Sequence, residues 1–207
     1  MSNFDVNLNT NDKRQLFIEA TISSLAEHGY KATTVRQIAK IAGVAPGLLT
    51  HYFSGKEMLI AESYEYLAKK FLDIFEARIK GMENQPKKAL RTFIIATFEK
   101  DNLDPKLLKV WLSFWSLTLN QPSLRHIHKQ TYRRYVDAIE AMLRDAYSQE
   151  AMLVNNAQTH AWAIGINALL DGLWLEWCLD PETFSPDEGL KIVYDFVEQT
   201  TGLSINS

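Results

Sequence analysis

Apolar side chains recur along this chain at three- and four-residue intervals, and almost no stretch alternates with the period of two that a half-buried strand needs. The pattern predicts an all-α protein. A first helix is expected from about Asp12 to His28, closed by Gly29, with residues 1–11 disordered. Thr34 and Gln37 have capping-box spacing, and Val35, Ile38, Ala39 and Ala42 line one face of the short helix they open. Gly43 closes that helix, and Pro46 suits the first turn of the next. Ser54-Gly55-Lys56-Glu57 reads as a second capping box. It opens a long helix on which Leu59, Ile60, Leu67, Phe71, Leu72, Phe75 and Ile79 recur. Residues 81–86 form a break. Further helices are expected over about 87–101, 106–119, 122–147, 151–179 and 186–201, punctuated by Pro86, Pro105, Pro122, Pro181 and Pro186. There is no internal repeat.

Bulk composition changes little. A 46% hydrophobic and 23% charged chain of 207 residues is ordinary for one or two globular domains. No apolar run approaches the ~18 residues of a membrane helix, and the polar N-terminus is unlike a secretion signal. Cys178 is the only cysteine, so no intrachain disulfide or cysteine-rich metal site can form. A cytoplasmic location is expected, with no membrane partner.

Charge is unevenly placed. Residues 31–56 carry Lys31, Arg36, Lys40, Lys56 and no acid, a local +4, whereas the whole chain is −3 and the rest therefore −7. A cationic module on an acidic body suits docking on a nucleic acid. Two short helices joined through Gly43-Val44 read as a helix-turn-helix, with residues 46–52 as the recognition helix. Gly47 permits close approach of backbone to the duplex, and Ala45 and Pro46 beside it are counted among the DNA-binding positions. Leu48 can touch a thymine methyl or pack inward, and Thr50 and His51 reach base edges or phosphates. Tyr52 and Lys56 suit phosphates at the far end. Thr33, Thr34 and Arg36 can hold the flanking phosphate backbone. The plainer alternative is a small helical bundle with a solvated basic face.

The blocks Gly29-Tyr30, Thr33-Thr34-Val35, Ile38-Ala39, Ala42-Gly43-Val44 and His51-Tyr52-Phe53 through Lys56-Glu57 resemble the DNA-binding signature of TetR-family repressors, over roughly residues 12–60. The resemblance implies a homodimer that binds near-palindromic operator DNA and is released by a small ligand. It divides the chain into a DNA-binding domain, 12–56, and a ligand-binding and dimerisation domain, 57–207. Ala45 departs from the family's usual Ser or Thr, removing a hydroxyl.

All five tryptophans lie beyond residue 110. Trp111 and Trp115 share a helix face, as do Asn167, Asp171 and Trp174. Aromatic faces with a carboxylate suit a quaternary ammonium ion, which donates no hydrogen bonds and is attracted to ring faces. From spacing alone, tryptophan stripes are more often core than a cation cage, and Trp177 also suits a dimer interface. The blocks KVWLSFW, NQPSLR and LLDGLWLE resemble BetI-type, choline-responsive repressors of glycine betaine synthesis. That implies choline or a related quaternary ammonium effector at Trp111, Trp115, Tyr132, Asn167, Asp171 and Trp174, and target genes for choline uptake or glycine betaine synthesis. The alternative is an unrelated pathway and another small aromatic or cationic effector.

Enzymatic chemistry finds little footing. No nucleophile elbow and no glycine-rich phosphate loop occur. His126 and His128 are spaced to splay apart on a helix, unlike a metal pair. No catalytic residue, metal or cofactor is expected. For dimerisation, Leu169, Leu173 and Trp177 on one helix and Ile192, Val193, Phe196 and Val197 on the next offer apolar surface for a four-helix interface.

Overall fold

A computed structural model describes residues 10–99 and 102–205. Among these residues there are nine helices and no strand: α1 (Thr10–Ala32), α2 (Val35–Ile41), α3 (Pro46–Tyr52), α4 (Lys56–Ile79), α5 (Pro86–Thr97), α6 (Pro105–Thr118), α7 (Pro122–Gln149), α8 (Asn156–Leu179) and α9 (Pro186–Thr201). The helix expected from Asp12 starts at Thr10, so residues 10 and 11 are ordered helix. The rest of the expected disordered segment, 1–9, lies outside the described residues.

Two compact units are distinguished. The first holds residues up to Ala68 together with Lys109–Ile127, and the second holds Lys69–Leu108 with the residues from His128 onward. Helices α4, α6 and α7 contribute residues to both.

In the first unit, Phe17, Ile18, Ala20, Ile38, Leu49, Phe53 and Leu59 form a buried core drawn from α1–α4. The sequence punctuation acts as read at Gly43 and only in part at Gly29, beyond which helix resumes to Ala32. Gly29 (φ 71°) breaks the regular run of α1, and Gly43 (φ 70°) makes the turn from α2 to α3. Both occupy the left-handed region, where a Cβ costs ~1–2 kcal/mol.

The expected caps hold in part. Thr34 accepts from the Gln37 backbone N–H at 3.2 Å, but the Gln37 amide turns to His28 Nε2 at 3.0 Å. That leaves half a capping box, because His28 offers the longer amide a partner outside the turn. Ser54 donates to Met58 Sδ at 3.3 Å, and α4 begins only at Lys56. A complete capping box occurs instead at Ser185 and Glu188, opening α9.

The second unit packs α5, α7, α8 and α9 around Leu90, Ile94, Ile139, Leu143, Ala163, Ile166, Val193 and Val197, all but inaccessible to solvent. Helix α8 starts at Asn156, not at 151. Ala151 (φ 52°) instead ends α7: its N–H reaches Ser148 O at 3.2 Å and the Met152 N–H reaches Tyr147 O at 3.0 Å. These two bonds are a Schellman motif with alanine where glycine is usual. Asn155 then caps α8, accepting from the Gln158 N–H at 2.8 Å.

Phase also corrects the expected dimer surface. Val193 and Val197 are fully buried within their own chain, and Leu169 and Leu173 pack on the same core. Outward apolar positions are Ile164 (37% exposed) and Leu179 (60%) on α8 and, from the expected set, Ile192 (44%) on α9.

Candidate functional site

Helix α3 owes its orientation to one side chain. Leu49 is fully buried in the core of the first unit, and Leu48 packs partly against that core. With a helical repeat of 3.6, this turns Gly47, Thr50 and His51 outward, and all three are exposed. The Thr50 hydroxyl donates to Gly47 O at 2.8 Å, which fixes its rotamer along the helix. Ala45 precedes the helix without a side-chain cap, and Pro46 occupies the first turn. Thr34, Arg36 and Lys40 stand exposed on α2. No acidic residue lies between Lys31 and Lys56 to oppose an incoming phosphate.

Three of the expected contact residues are engaged inside the fold. Thr33 is fully buried; its hydroxyl donates to Gly29 O at 2.8 Å and lies 2.9 Å from Ser24 Oγ. It braces the chain after the α1 kink, and its side chain is withdrawn from the surface. Tyr52 leans on Phe17 (5.9 Å between centroids) and meets His51 edge-on at 5.4 Å. Lys56 Nζ donates to Tyr30 O at 2.9 Å and sits 3.9 Å from the Tyr30 ring centroid. Burial lowers the Lys56 pKa, partly opposed by Glu57.

Arg14 is the functional candidate that sequence reasoning missed. It lies on α1, 38 residues from its partner on α3, and bonds the Tyr52 carbonyl at 2.7 Å. No local spacing signals such a contact.

The expected effector residues fall in both units. In the first, Trp111 and Trp115 stack on α6 with centroids 6.2 Å apart and planes at 30°. Tyr64 of α4 lies flat on Phe114 at 4.7 Å and edge-on to Trp111 at 5.7 Å.

In the second unit, Asn167 is buried and donates to Asp171 Oδ2 at 3.0 Å. Part of the Asp171 residue surface reaches solvent, but protein closely surrounds its carboxyl. Desolvation therefore pushes its pKa up to about 6 against the pull of Asn167. The indole N–H of Trp174 donates to Asn102 O at 2.7 Å, pinning a buried ring. Tyr132 is partly exposed and stacks on His128 at 6.3 Å. Cys178 is buried, with its thiol pushed up to about 11 by desolvation and then by Asp104, which keeps it protonated and unreactive at neutral pH. Among the described residues no group of three or more His, Cys, Asp or Glu is placed to hold a metal ion.

Comparison with known proteins finds two family matches along the chain. The family of bacterial regulatory proteins called tetR matches residues 17–62, and that of the BetI-type transcriptional repressor C-terminal domain matches residues 86–202. The HTH-type transcriptional regulator BetI of Yersinia pestis (strain Pestoides F) is 30% identical over 188 residues, covering 90% of this chain and 91% of that protein. Its counterpart from Pectobacterium carotovorum is 30% identical over 188 residues, 90% of this chain and 93% of that one. A crystal structure described as a transcriptional regulator of Pseudomonas aeruginosa PAO1 superposes with a TM-score of 0.86 at 31% identity, over 98% of each chain. One from Saccharomonospora viridis, solved in complex with choline, shares the fold with a TM-score of 0.79 at 20% identity, over 91% of this chain and 96% of that one.

Proposed function

The chain belongs to the TetR family of bacterial regulators, with a BetI-type repressor C-terminal domain, and on that premise we propose that it is a homodimeric repressor released from operator DNA by choline or a close trimethylammonium relative. It is a transcriptional regulator and not an enzyme. Residues 12–56 serve as the DNA-binding part and 57–207 as the effector and dimerisation part. The genes it controls are those of choline uptake or glycine betaine synthesis. The relatives named BetI and the choline complex of the Saccharomonospora viridis regulator support that choice of pathway.

One observation carries the DNA reading: buried Leu49 turns Gly47, Thr50 and His51 outward together, beside exposed Thr34, Arg36 and Lys40. Short hydroxyl and imidazole groups on one helix face read base edges, while the flanking cations take phosphates. For the effector, Asp171 is the argument. A carboxylate held by Asn167 and kept in a partly desolvated setting balances a cation that cannot donate hydrogen bonds. The stacked Trp111–Trp115 pair offers ring faces suited to methylammonium groups. An effector that prefers the non-binding conformation tenfold shifts the equilibrium by ~1.4 kcal/mol per site, and two sites in a dimer double this.

The test is a set of single substitutions read by fluorescence anisotropy on duplexes over a salt series. Arg36→Ala and Lys40→Ala should each lower the slope of log K against log salt by about 0.9 and leave base preference unchanged. Thr50→Ala and His51→Ala should change base preference with little effect on the slope. Equal behaviour of the two pairs would remove the assigned reading face.

A further inference from the structure

We propose that Arg14 and Glu62 form a clamp through which α4 holds the recognition helix in place, so that the pair couples α4 to the DNA-reading surface. This rests on the reading of α3 as that surface. Helix α3 has seven residues, too few to be stable alone, and the carbonyls of its last turn have no donor within the helix. Arg14 Nη1 supplies one, bonding Tyr52 O at 2.7 Å. Its other terminal nitrogen, Nη2, bonds the Glu62 carboxylate on α4. The guanidinium carbon also lies 4.5 Å from the centroid of Phe53, the residue that ends α3. One planar, permanently charged group thus ties α1, the end of α3 and α4 with charge-assisted bonds.

The position of Glu62 gives the clamp its role. Two residues farther along α4, Tyr64 lies about 200° round the helix, on nearly the opposite side. It is buried and stacks on Phe114, with Trp111 at its edge. Helix α4 therefore faces the α6 aromatic cluster on one side and the recognition helix, through Glu62 and Arg14, on the other. Between them, the buried Ser63 hydroxyl donates to Leu59 O at 2.7 Å, a back-bond of the kind that softens a helix. A shift of the α6 rings that moves Tyr64 moves Glu62 as well, and with it the Arg14 donor that holds the last carbonyl of α3. Arg14 and Glu62 are positioning residues in this scheme, since neither has to touch DNA or effector.

The experiment uses the full chain, free of DNA and effector, and follows native-state hydrogen exchange residue by residue. Glu62→Gln and Arg14→Met should each speed exchange of the α3 amides and of Phe53 by about tenfold. The amides of Phe17 and Leu25 in α1 should be unaffected, and the double variant should go no further than either single one. Arg14→Lys keeps the charge without the fork and should show the same pattern if Arg14→Met proves too damaging to fold. In the same variants, choline-driven loss of operator affinity should shrink by at least about threefold, with choline affinity unchanged. Unchanged α3 exchange, or acceleration spread evenly over the first unit with additive effects, would overturn the clamp. Wild-type binding to duplex DNA is measured alongside. If the wild type selects no duplex, the regulator reading of α3 fails; if it does and α3 exchange is unmoved by the variants, the clamp alone fails.

Discussion

Choline binding should weaken about tenfold when the pH is lowered from 7.5 to 5, and Asp171→Asn should abolish that dependence along with most of the affinity. The Asp171 carboxyl has its pKa raised to about 6 by desolvation. At pH 7.5 nearly every copy is ionised, and at pH 5 about one in ten. A quaternary ammonium ion beside a neutral acid loses its charge balance, so binding selects the ionised form. Apparent affinity then follows the ionised fraction, a change of about tenfold, or ~1.4 kcal/mol. Near pH 6 each binding event should release about half a proton. Calorimetry at several pH values, in two buffers of different ionisation enthalpy, measures both affinity and proton release. The stability of the ligand-free protein should move the opposite way. The folded-state pKa of Asp171 lies above its ordinary value of 3.8, so the stability this group contributes is fully present below about pH 4 and lost as pH rises through about 6. Asp171→Asn should therefore stabilise the ligand-free protein at pH 7.5, with the gain fading towards pH 4. Choline affinity that is flat from pH 7.5 to 5 without proton release, or an Asn variant binding as tightly as wild type, would refute the reasoning.

Two further outcomes are expected. Ala151→Gly relieves a left-handed alanine at the end of α7, offset by the greater freedom of glycine in the unfolded chain, and should raise the thermal midpoint by roughly 1–3 °C; calorimetric scanning showing a fall would contradict the Schellman assignment. Ile192→Asp, alone or with Ile164→Asp, places charge on the outward apolar positions of α8 and α9 and should yield monomers in sedimentation at micromolar concentration, whereas Val193→Ala should lower stability without changing the oligomeric state.

Most element boundaries were legible because they are set locally. Proline at the first turns of α3, α5, α6, α7 and α9 and glycine at 29 and 43 act through backbone geometry that needs no tertiary partner. The start of α8 was not legible, since Asn155 and Ala151 divide the work of ending one helix and beginning the next, and nothing in periodicity marks alanine as left-handed. Side-chain roles were harder than helices. Thr33 has the composition of a phosphate contact, but the fold turns it onto Ser24. Val193 and Val197 carry the same apolar signal whether they face their own core or a partner, and only the phase of α9 separates the two. Arg14 is one basic residue on an amphipathic helix until α3 and α4 are brought beside it. The shared face of Asn167 and Asp171 was legible from their four-residue spacing, but the hydrogen bond between them was not.

The central claim is that the face of α3 carrying Thr50 and His51 reads a DNA sequence. Selection of duplexes from a random pool at about 0.15 M salt, a strength that suppresses purely electrostatic binding, tests it most directly. The account expects enrichment of a two-fold symmetric site, protected by the wild-type chain and lost from the Thr50→Ala/His51→Ala variant. Enrichment of no sequence, or of the same sequence by both proteins, would contradict it.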